Sequence, residues 1–365
     1  MEERDYWLGF SVFPGVGPKR FQALLTYFST VKDAWNASES ELKESGLGEQ
    51  LSEKFIAFRS NFSLESYLKK LEQKSISYLT FLDKEYPMLL QESHNPPFVL
   101  FMKGEFDFND SQNQMTVGIV GTRRITSYGR QVTEMITESL VDAGCVIVSG
   151  LAMGVDAVTH QTTLNCNGKT IAVLGCGVDC CNPSTNQRLY DEIIVKGGAV
   201  ISEFPLEQAP TKGSFPSRNR IIAGLSKAII VTEGAEDSGA LITAQDAFTN
   251  NRKVFAVPGP ITSSLSKGPN SLFSKGAQVV TSGQDVLREL GINSRITNKK
   301  RKDTVKGDTA EEQKILDLLQ NETMHFDELV RKSELSPAII GTLLSLMEMK
   351  GLVRNTESST YILCD

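Results

Sequence analysis

Apolar residues in the middle of the chain come in short, uninterrupted runs that alternate with longer segments of helical periodicity. Seven such runs lie between residues 116 and 283, and six of them end at a glycine. They read TVGIVG, CVIVSG, KTIAVLG, GAVISEF, KAIIVTEG, KVFAVPG and AQVVTSG. Continuous β-branched strands separated by helices are typical of a parallel sheet that is covered on both faces. The pattern predicts a doubly wound α/β domain over residues 114–291.

The segment before this domain is mostly helical in periodicity. Residues 5–62 carry two Gly-x-Gly turns, at 15–17 and 46–48, between apolar-periodic stretches. This layout is that of helix-hairpin-helix (SAM-like) motifs, whose glycines let backbone amides approach a phosphate, and equally that of a helical bundle that turns at glycine. We assign residues 1–62 to a small N-terminal helical domain. Residues 63–113 form a lead-in with short strands near 77–82 and 98–103.

A polar stretch with a basic run at 299–302 marks residues 292–308 as a linker. Beyond it, residues 309–365 have the pattern of three helices and a small hairpin, which predicts a winged-helix domain. The third helix contains Met347, Glu348, Met349 and a single Lys350, and so lacks the basic and amide side chains that read base edges. We therefore favour a protein-contact or regulatory role for this domain.

Net charge, the length of apolar runs and the cysteine spacing limit the functions that the chain is expected to have. The net charge of −6 and the isoelectric point near 5.4 argue against indiscriminate coating of nucleic acid, but they allow a local basic site. No apolar run reaches the roughly 18 residues of a membrane span, so we expect a cytoplasmic chain without a membrane partner. The six cysteines are expected to be reduced thiols, and their spacing does not predict a metal site.

The first predicted strand ends in Gly121, Thr122, Arg123 and Arg124, just before a helix begins. Amides at a helix start attract anions, and adjacent arginines offer bidentate contacts to phosphate. The segment is not a Gly-x-Gly-x-x-Gly fingerprint, and no acidic residue closes the second strand to hold a ribose. We therefore expect a phosphate site and no dinucleotide or other cofactor.

The second predicted strand runs into a loop with Gly150, Gly154 and Asp156, followed by His160. The glycines permit a ligand to approach the backbone closely. Asp156 and His160 are four residues apart, which places both on one helix face. This spacing suits either a catalytic dyad or a structural hydrogen bond, and since there is no apparent nucleophile we favour the structural role and predict no catalytic residues.

The segment FPSRNRIIAGLS is the most informative. Arg218, Asn219 and Arg220 are expected to open a helix whose later residues are apolar, so that its polar end projects into the strand-end crevice. Lys212 adds charge just upstream, and Phe215 is placed to stack a base, as aromatic residues do in single-strand binders.

Arg218 and Arg220 have an alternative to facing the crevice, which is to form ion pairs inside the protein. Either one is able to pair internally with Glu203 or Glu233. We expect at least one of Arg218 and Arg220 to do so.

The next strand ends at a helix start where Ser238 and Gly239 can satisfy amides or bind phosphate. The residues predicted to bind DNA or phosphate are Gly121, Thr122, Arg123, Arg124, Lys212, Phe215, Arg218, Asn219, Arg220, Ser238 and Gly239. The weaker candidates are Gly150, Gly154, Arg188 and Lys267.

Several of these segments together resemble the DprA/Smf family of DNA-processing proteins. They are GTRRITSYG, SGLAMGVDAVTH, ISEFP, FPSRNRIIAGLS, SGALITAQDA, VPGP and KGPNSLFSKGAQVV, in that order along residues 116–283. The resemblance implies a Rossmann-like fold and a cytoplasmic homodimer that works by binding rather than catalysis. It implies that the protein binds and protects single-stranded DNA and helps to load the RecA recombinase during natural transformation and recombination.

The resemblance also assigns roles by position. Gly121, Thr122 and Arg123 match the family's Gly-Ser/Thr-Arg loop, which contacts the DNA backbone, and residues 218–220 match its Phe-Pro-x-Arg-Asn-Arg helix start. One stretch departs from the family pattern: residues 179–188 lack the aromatic residue of Asp-x-x-Tyr-Pro-Lys and keep only one positive charge, that of Arg188.

The alternative is an enzyme, a nucleotide phosphoribohydrolase like those of the LOG family, with a related domain that binds a nucleoside monophosphate at the same sheet edge. Such enzymes use a Pro-Gly-Gly-x-Gly-Thr-x-x-Glu loop. Residues 233–240 here read EGAEDSGA, which lacks that glycine pair and the correctly spaced acid.

Overall fold

A computed structural model describes residues 1–110, 113, 115–292, 307–319, 323–356 and 359–363. The chain divides into two compact units, Met1–Ser294 and Arg295–Asp365. Most of the predicted linker, residues 293–306, lies outside the described residues, as does Cys364. No helix in the described ranges combines the length and the apolar content that crossing a bilayer demands.

The first unit is built on one nine-stranded sheet. Its strands are β1 (Ile76–Thr80), β2 (Val99–Lys103), β3 (Thr116–Val120), β4 (Val146–Ser149), β5 (Thr170–Val173), β6 (Ala199–Ser202), β7 (Ala228–Val231), β8 (Lys253–Ala256) and β9 (Gln278–Val279). Their order across the sheet is β1-β2-β6-β5-β4-β3-β7-β8-β9. The seven predicted strands are β3 to β9, and every neighbouring pair among them is parallel. The prediction of a doubly wound parallel sheet is confirmed.

The lead-in segment is part of this sheet. Strands β1 and β2 pair antiparallel with each other, and β2 pairs antiparallel with β6. They extend the parallel sheet by two strands at one edge, close to the positions that the sequence pattern predicts.

Helices cover both faces of the sheet. They are α7 (Met88–Gln91), α8 (Ser127–Asp142), α9 (Val155–Asn165), α10 (Gln187–Val195), α11 (Ser214–Leu225), α12 (Gly239–Thr249), α13 (Lys267–Phe273) and α14 (Gly283–Glu289). Helix α8 packs between α9 and α14, whereas α11 packs between α7 and α12. Successive residues of β3 pack against the helices on opposite faces of the sheet. Ile119 belongs to the apolar core beside α8, and Val120 belongs to the core beside α11. Both layers are needed because the strands are buried on both sides.

The N-terminal helices pack against the antiparallel edge of the sheet. They are α1 (Glu3–Val12), α2 (Pro18–Tyr27), α3 (Val31–Asn36), α4 (Glu39–Leu42), α5 (Glu49–Asn61) and α6 (Leu64–Gln73), with a wider π-type turn at Lys43–Leu47. Their core is aromatic: the ring of Phe10 stacks on Phe55 with centroids 4.8 Å apart and meets Trp35 edge-on. The same core includes Phe101 of β2, so the helices and the sheet share one apolar cluster.

The second unit has a winged-helix layout, as predicted. Its elements are α15 (Ala310–Leu319), β10 (Met324–His325), α16 (Phe326–Ser333), α17 (Pro337–Met349), β11 (Val353–Thr356) and β12 (Thr360–Leu363). Ser336 caps α17 by accepting a hydrogen bond from the amide of Ile339, and Pro337 occupies the first turn. Helix α17 contributes Ile340, Leu344 and Met347 to the core of this unit.

Candidate nucleic-acid interface

A crevice of about 730 Å³ opens at the carboxyl ends of the strands, beside β3 and β7. The chain builds the sheet outward from β3 in one direction through β6 and then returns to place β7 on the other side of β3. In doubly wound folds this reversal leaves a gap between the flanking loops, where ligands bind. The crevice therefore lies where the fold is expected to place a site.

The crevice brings together ten of the eleven principal residues that the sequence analysis selected. Those that line it are Gly121, Thr122, Arg123, Arg124, Lys212, Phe215, Arg218, Asn219, Ser238 and Gly239. They come from the loop after β3, the first turns of α11 and the start of α12. Sequence segments more than 100 residues apart thus meet in one concave surface.

The exposed part of the crevice carries three cations against one carboxylate, Asp237, and its lining includes one aromatic ring. Arg123, Arg124 and Lys212 are exposed, and the guanidinium of Arg123 lies over the ring of Phe215, 4.9 Å from its centroid. Gly175, two residues after β5, approaches the same ring closely: a Cβ there would lie 3.2 Å from Cδ1 of Phe215. One cation thus lies directly over the ring, and two more line the same crevice.

Arg218 differs from the other arginines because its side chain is buried under the crevice, with 5% of the residue exposed. Its Nη1 donates to the carbonyl of Val173 at 2.9 Å and lies 4.0 Å from Oδ2 of Asp156. Burial raises the pKa of the Asp156 carboxyl, and the charge of Arg218 opposes that rise. The expectation that residue 218 lies at the projecting end of its helix is wrong, because α11 already begins at Ser214 and residue 218 falls in its second turn.

Arg220 is also placed differently from the prediction. Its guanidinium is on another side of α11, where it pairs with Glu203 and donates to the carbonyl of Asn95. Residues two apart on a helix do not share a face, so Arg218 and Arg220 cannot both face the crevice. The internal pairing expected for one of the two arginines is confirmed for Arg220 with Glu203. Asn219 turns toward α12 and donates to the carbonyl of Gly239 at 3.1 Å.

The helix start that follows β3 carries an internal anion. The buried carboxylate of Glu233, at the end of β7, accepts hydrogen bonds from the amide of Thr126 at 3.0 Å and from its hydroxyl at 2.6 Å. A Cβ on Gly129 would lie 2.0 Å from Oε2 of Glu233, so only glycine fits in this turn. A dinucleotide-binding fold directs its pyrophosphate to the N-terminus of this helix. Here a side chain of the protein takes that place, and the sequence offered no signal for it.

His160 belongs to the core rather than to a dyad. Its Nδ1 lies 2.7 Å from Oγ1 of Thr170, and its side chain is fully buried. The structural hydrogen bond favoured from the sequence is therefore made, with Thr170 as the partner instead of Asp156.

We expect the imidazole of His160 to remain neutral far into the acid range. Burial, together with the nearby charge of Arg218, lowers the pKa of His160 to about 3. Between about pH 6.5 and pH 3 the unfolded chain binds a proton that the folded protein does not, so this residue makes stability fall as the pH falls through that window. An NMR titration of the ring measures the pKa directly. A midpoint near the ordinary value would contradict this placement.

A second cavity, of about 550 Å³, lies on the other side of the Arg123-Arg124 loop. These two arginines line both cavities, and Arg130 and Arg188 add two more guanidinium groups to the second one. Of the weaker candidates, Gly154 and Arg188 are placed here. Sequence reasoning did not select Arg130, although it lies in the first turns of the helix that follows the arginine pair.

The remaining weak candidates lie outside the two cavities. A Cβ on Gly150 would be 1.4 Å from Nη1 of Arg218, so this glycine makes room for the buried guanidinium. Lys267 is exposed at the start of α13. Among the described residues no three His, Cys, Asp or Glu side chains gather in a way that would hold a metal ion, and the five described cysteines carry free thiols.

Comparison with known proteins identifies the family. A family model described as DNA recombination-mediator protein A matches residues 77–291, and one described as the DprA winged helix domain matches residues 299–357. The chain belongs to the DprA family. The first match covers the whole nine-stranded sheet except the first residue of β1, and so includes the lead-in strands. DprA proteins are DNA-processing proteins, and this chain is one of them.

Individual relatives agree with this result. Protein Smf of Synechocystis sp. is 43% identical over 291 residues, which cover 79% of this chain and 73% of that protein. Among solved structures, DNA processing protein A (DprA) from Streptococcus pneumoniae superposes with a TM-score of 0.67 at 36% identity, covering 79% of this chain and 97% of that one. DNA processing protein A from Helicobacter pylori gives 0.53 at 32% identity over 59% and 95%, and its structure is described as showing a single-stranded DNA binding mode.

Proposed function

We propose that this protein binds single-stranded DNA in the strand-end crevice and protects it. The observation that carries the proposal is that Arg123, Arg124 and Lys212 line one crevice with the ring of Phe215, and that the guanidinium of Arg123 lies over this ring. A basic groove with an aromatic platform binds a single strand without reading its sequence, because cations hold the phosphates and every base has a face to stack. The described binding mode of the Helicobacter pylori relative supports this function.

The proposal extends to the role in recombination. We infer that the protein acts by binding rather than catalysis, that it works as a homodimer, and that it helps to load the RecA recombinase onto the strand during natural transformation and recombination. Family membership supports these roles. A strand-exchange assay tests the loading role, since the protein should shorten the delay before RecA acts on protein-coated DNA. No change in that delay would contradict it.

The enzyme alternative finds little support in the geometry. A phosphoribohydrolase needs an acid that is free to act on the substrate. The carboxylate of Glu233, at the start of the corresponding loop, is buried and accepts two hydrogen bonds from Thr126. We therefore expect no release of free base from adenosine monophosphate.

The deciding experiment measures the affinity for a fluorescent single-stranded oligonucleotide over a series of salt concentrations. The logarithm of affinity should fall linearly with the logarithm of salt, by about 0.7 for each phosphate that the protein neutralises. The matched control is Lys69→Ala. Among the described residues Lys69 forms its ion pair with Glu65 on an exposed helix face, and it does not line the crevice. Binding that is absent or independent of salt would overturn the proposal, and release of adenine would establish the enzyme reading instead.

A further inference from the structure

The second cavity is basic like the crevice, but the rest of its lining is different. Its four arginines are Arg123, Arg124, Arg130 and Arg188, and its polar lining includes Thr185 and Asn186. Its apolar lining is aliphatic, from Ile125, Ala157, Val158 and Leu189, and contains no aromatic ring. A surface of this kind has donors for phosphate oxygens but no platform for bases.

The two arginines that belong to this cavity alone are available to an incoming anion. The Nη1 of Arg130 lies 3.5 Å from Oε1 of Glu134, and the Nε of Arg188 lies 2.9 Å from Oε1 of Glu192. Both are i,i+4 pairs at the surface, and the side chains of Arg130 and Arg188 are 56% and 91% exposed. Exposed pairs of this kind contribute little in water, and a guanidinium has five N–H donors, so most of them remain free for a phosphate.

The loop that separates the two cavities is shared by both. Arg123 and Arg124 line the crevice on one side and the second cavity on the other. Close packing holds the loop in place: a Cβ on Gly154 would lie 2.3 Å from the carbonyl oxygen of Thr122, and the amide of Val155 donates to that same oxygen at 3.1 Å. A strand that leaves the crevice across this loop passes from one cavity lined by arginines into another.

We propose that a single DNA strand occupies both cavities, with its bases at Phe215 in the crevice and its sugar-phosphate backbone continuing over the Arg123-Arg124 loop onto Arg130 and Arg188. This inference rests on the proposed function and adds a second segment to the binding site. The two cations of the added segment come from different helices, since Arg130 lies on α8 and Arg188 on α10.

The test compares the double variant Arg130→Ala/Arg188→Ala with wild type on single-stranded oligothymidylates of about 5 and about 16 nucleotides, lengths within the range that single-strand sites cover. On the longer strand the salt slope should become shallower by about 1.4, which is about 0.7 for each phosphate released. The short strand fits the crevice alone, so its affinity should change by less than about twofold, with the slope preserved.

Two further variants separate a local contact from the loss of net charge. The control Lys69→Ala/Arg288→Ala removes two charges from other exposed pairs and should leave both slopes unchanged. The charge-preserving variant Arg130→Lys/Arg188→Lys should have a salt slope on the longer strand close to that of wild type. The inference is overturned if the double alanine variant keeps the wild-type slope on the longer strand. If wild type binds neither strand, it is the proposed function that fails.

Discussion

Replacing Arg218 with alanine is expected to lower the free energy of unfolding by about 3–5 kcal/mol at neutral pH, the usual result of leaving one charge of a buried pair without its partner. The guanidinium of Arg218 donates to Val173 and lies 4.0 Å from the carboxylate of Asp156, and both side chains are buried. Without it, Asp156 must either keep an uncompensated charge or take up a proton. Urea unfolding of the two proteins measures the loss.

The pH dependence of this loss has a definite sign. Burial already raises the pKa of Asp156 above its ordinary value of about 3.9, and removing the arginine removes the charge that opposes this shift. The folded variant then binds a proton that the unfolded chain has released, so its stability falls as the pH rises above about 4 and recovers toward acid. The difference from wild type should therefore be largest at neutral pH.

A matched control removes both charges of the pair. The variant Arg218→Met/Asp156→Leu replaces them with apolar side chains and should recover most of the lost stability. In an independent probe, Gly150→Ala should reproduce the defect, because its Cβ would collide with Nη1 of Arg218. If Arg218→Ala unfolds at the same urea concentration as wild type, the pair does not support the floor of the crevice.

Replacing Arg123 with alanine is expected to weaken single-stranded DNA binding by about 10- to 100-fold, since charge-assisted hydrogen bonds contribute about 1.5–3 kcal/mol and 1.4 kcal/mol is a factor of ten. This exposed arginine faces both cavities and lies over Phe215. Unlike Arg218→Ala, the change should leave stability nearly intact, because the side chain is exposed. Fluorescence anisotropy across a salt series measures both the affinity and its slope.

The charge-preserving variant Arg123→Lys distinguishes the roles of this side chain. A lysine keeps the positive charge but loses the planar fork and its fit over the ring, so its affinity should fall between those of wild type and the alanine variant, with the slope largely kept. Equal affinities for wild type and Arg123→Ala would show that the shared loop does not contact the strand.

The parallel sheet could be predicted because each of its strands has a signal of its own. A buried run of β-branched residues that stops at glycine indicates both a strand and the loop that follows it. The loops after β3 and β7 contain five of the ten predicted residues that line the crevice. The start of α11 was predicted too late, at Arg218 instead of Ser214. Pro216 is the signal that indicates the earlier start, because proline is tolerated in the first turn of a helix.

The features that sequence reasoning missed depend on contacts between distant segments. Glu233 accepts hydrogen bonds from Thr126, the N-cap residue of α8, which lies 107 residues earlier in the chain, and no local pattern indicates that pairing. The second cavity requires α8, α9 and α10 to pack side by side before Arg130 and Arg188 come together. Local periodicity predicts elements and their ends, whereas it does not say which side chains become neighbours once the layers pack.

The carboxylate of Glu233 has a consequence for how the protein selects among the anions in a cell. Free nucleotides are abundant there, and the helix start after β3 is the part of this fold best suited to capture their phosphates. Because Glu233 already occupies it, a mononucleotide finds a negative charge in that position. A polymer gains from the many cations along the rim that a single nucleotide cannot reach together. We therefore expect the proposed site to discriminate by length, so that an excess of adenosine monophosphate should displace the strand only weakly.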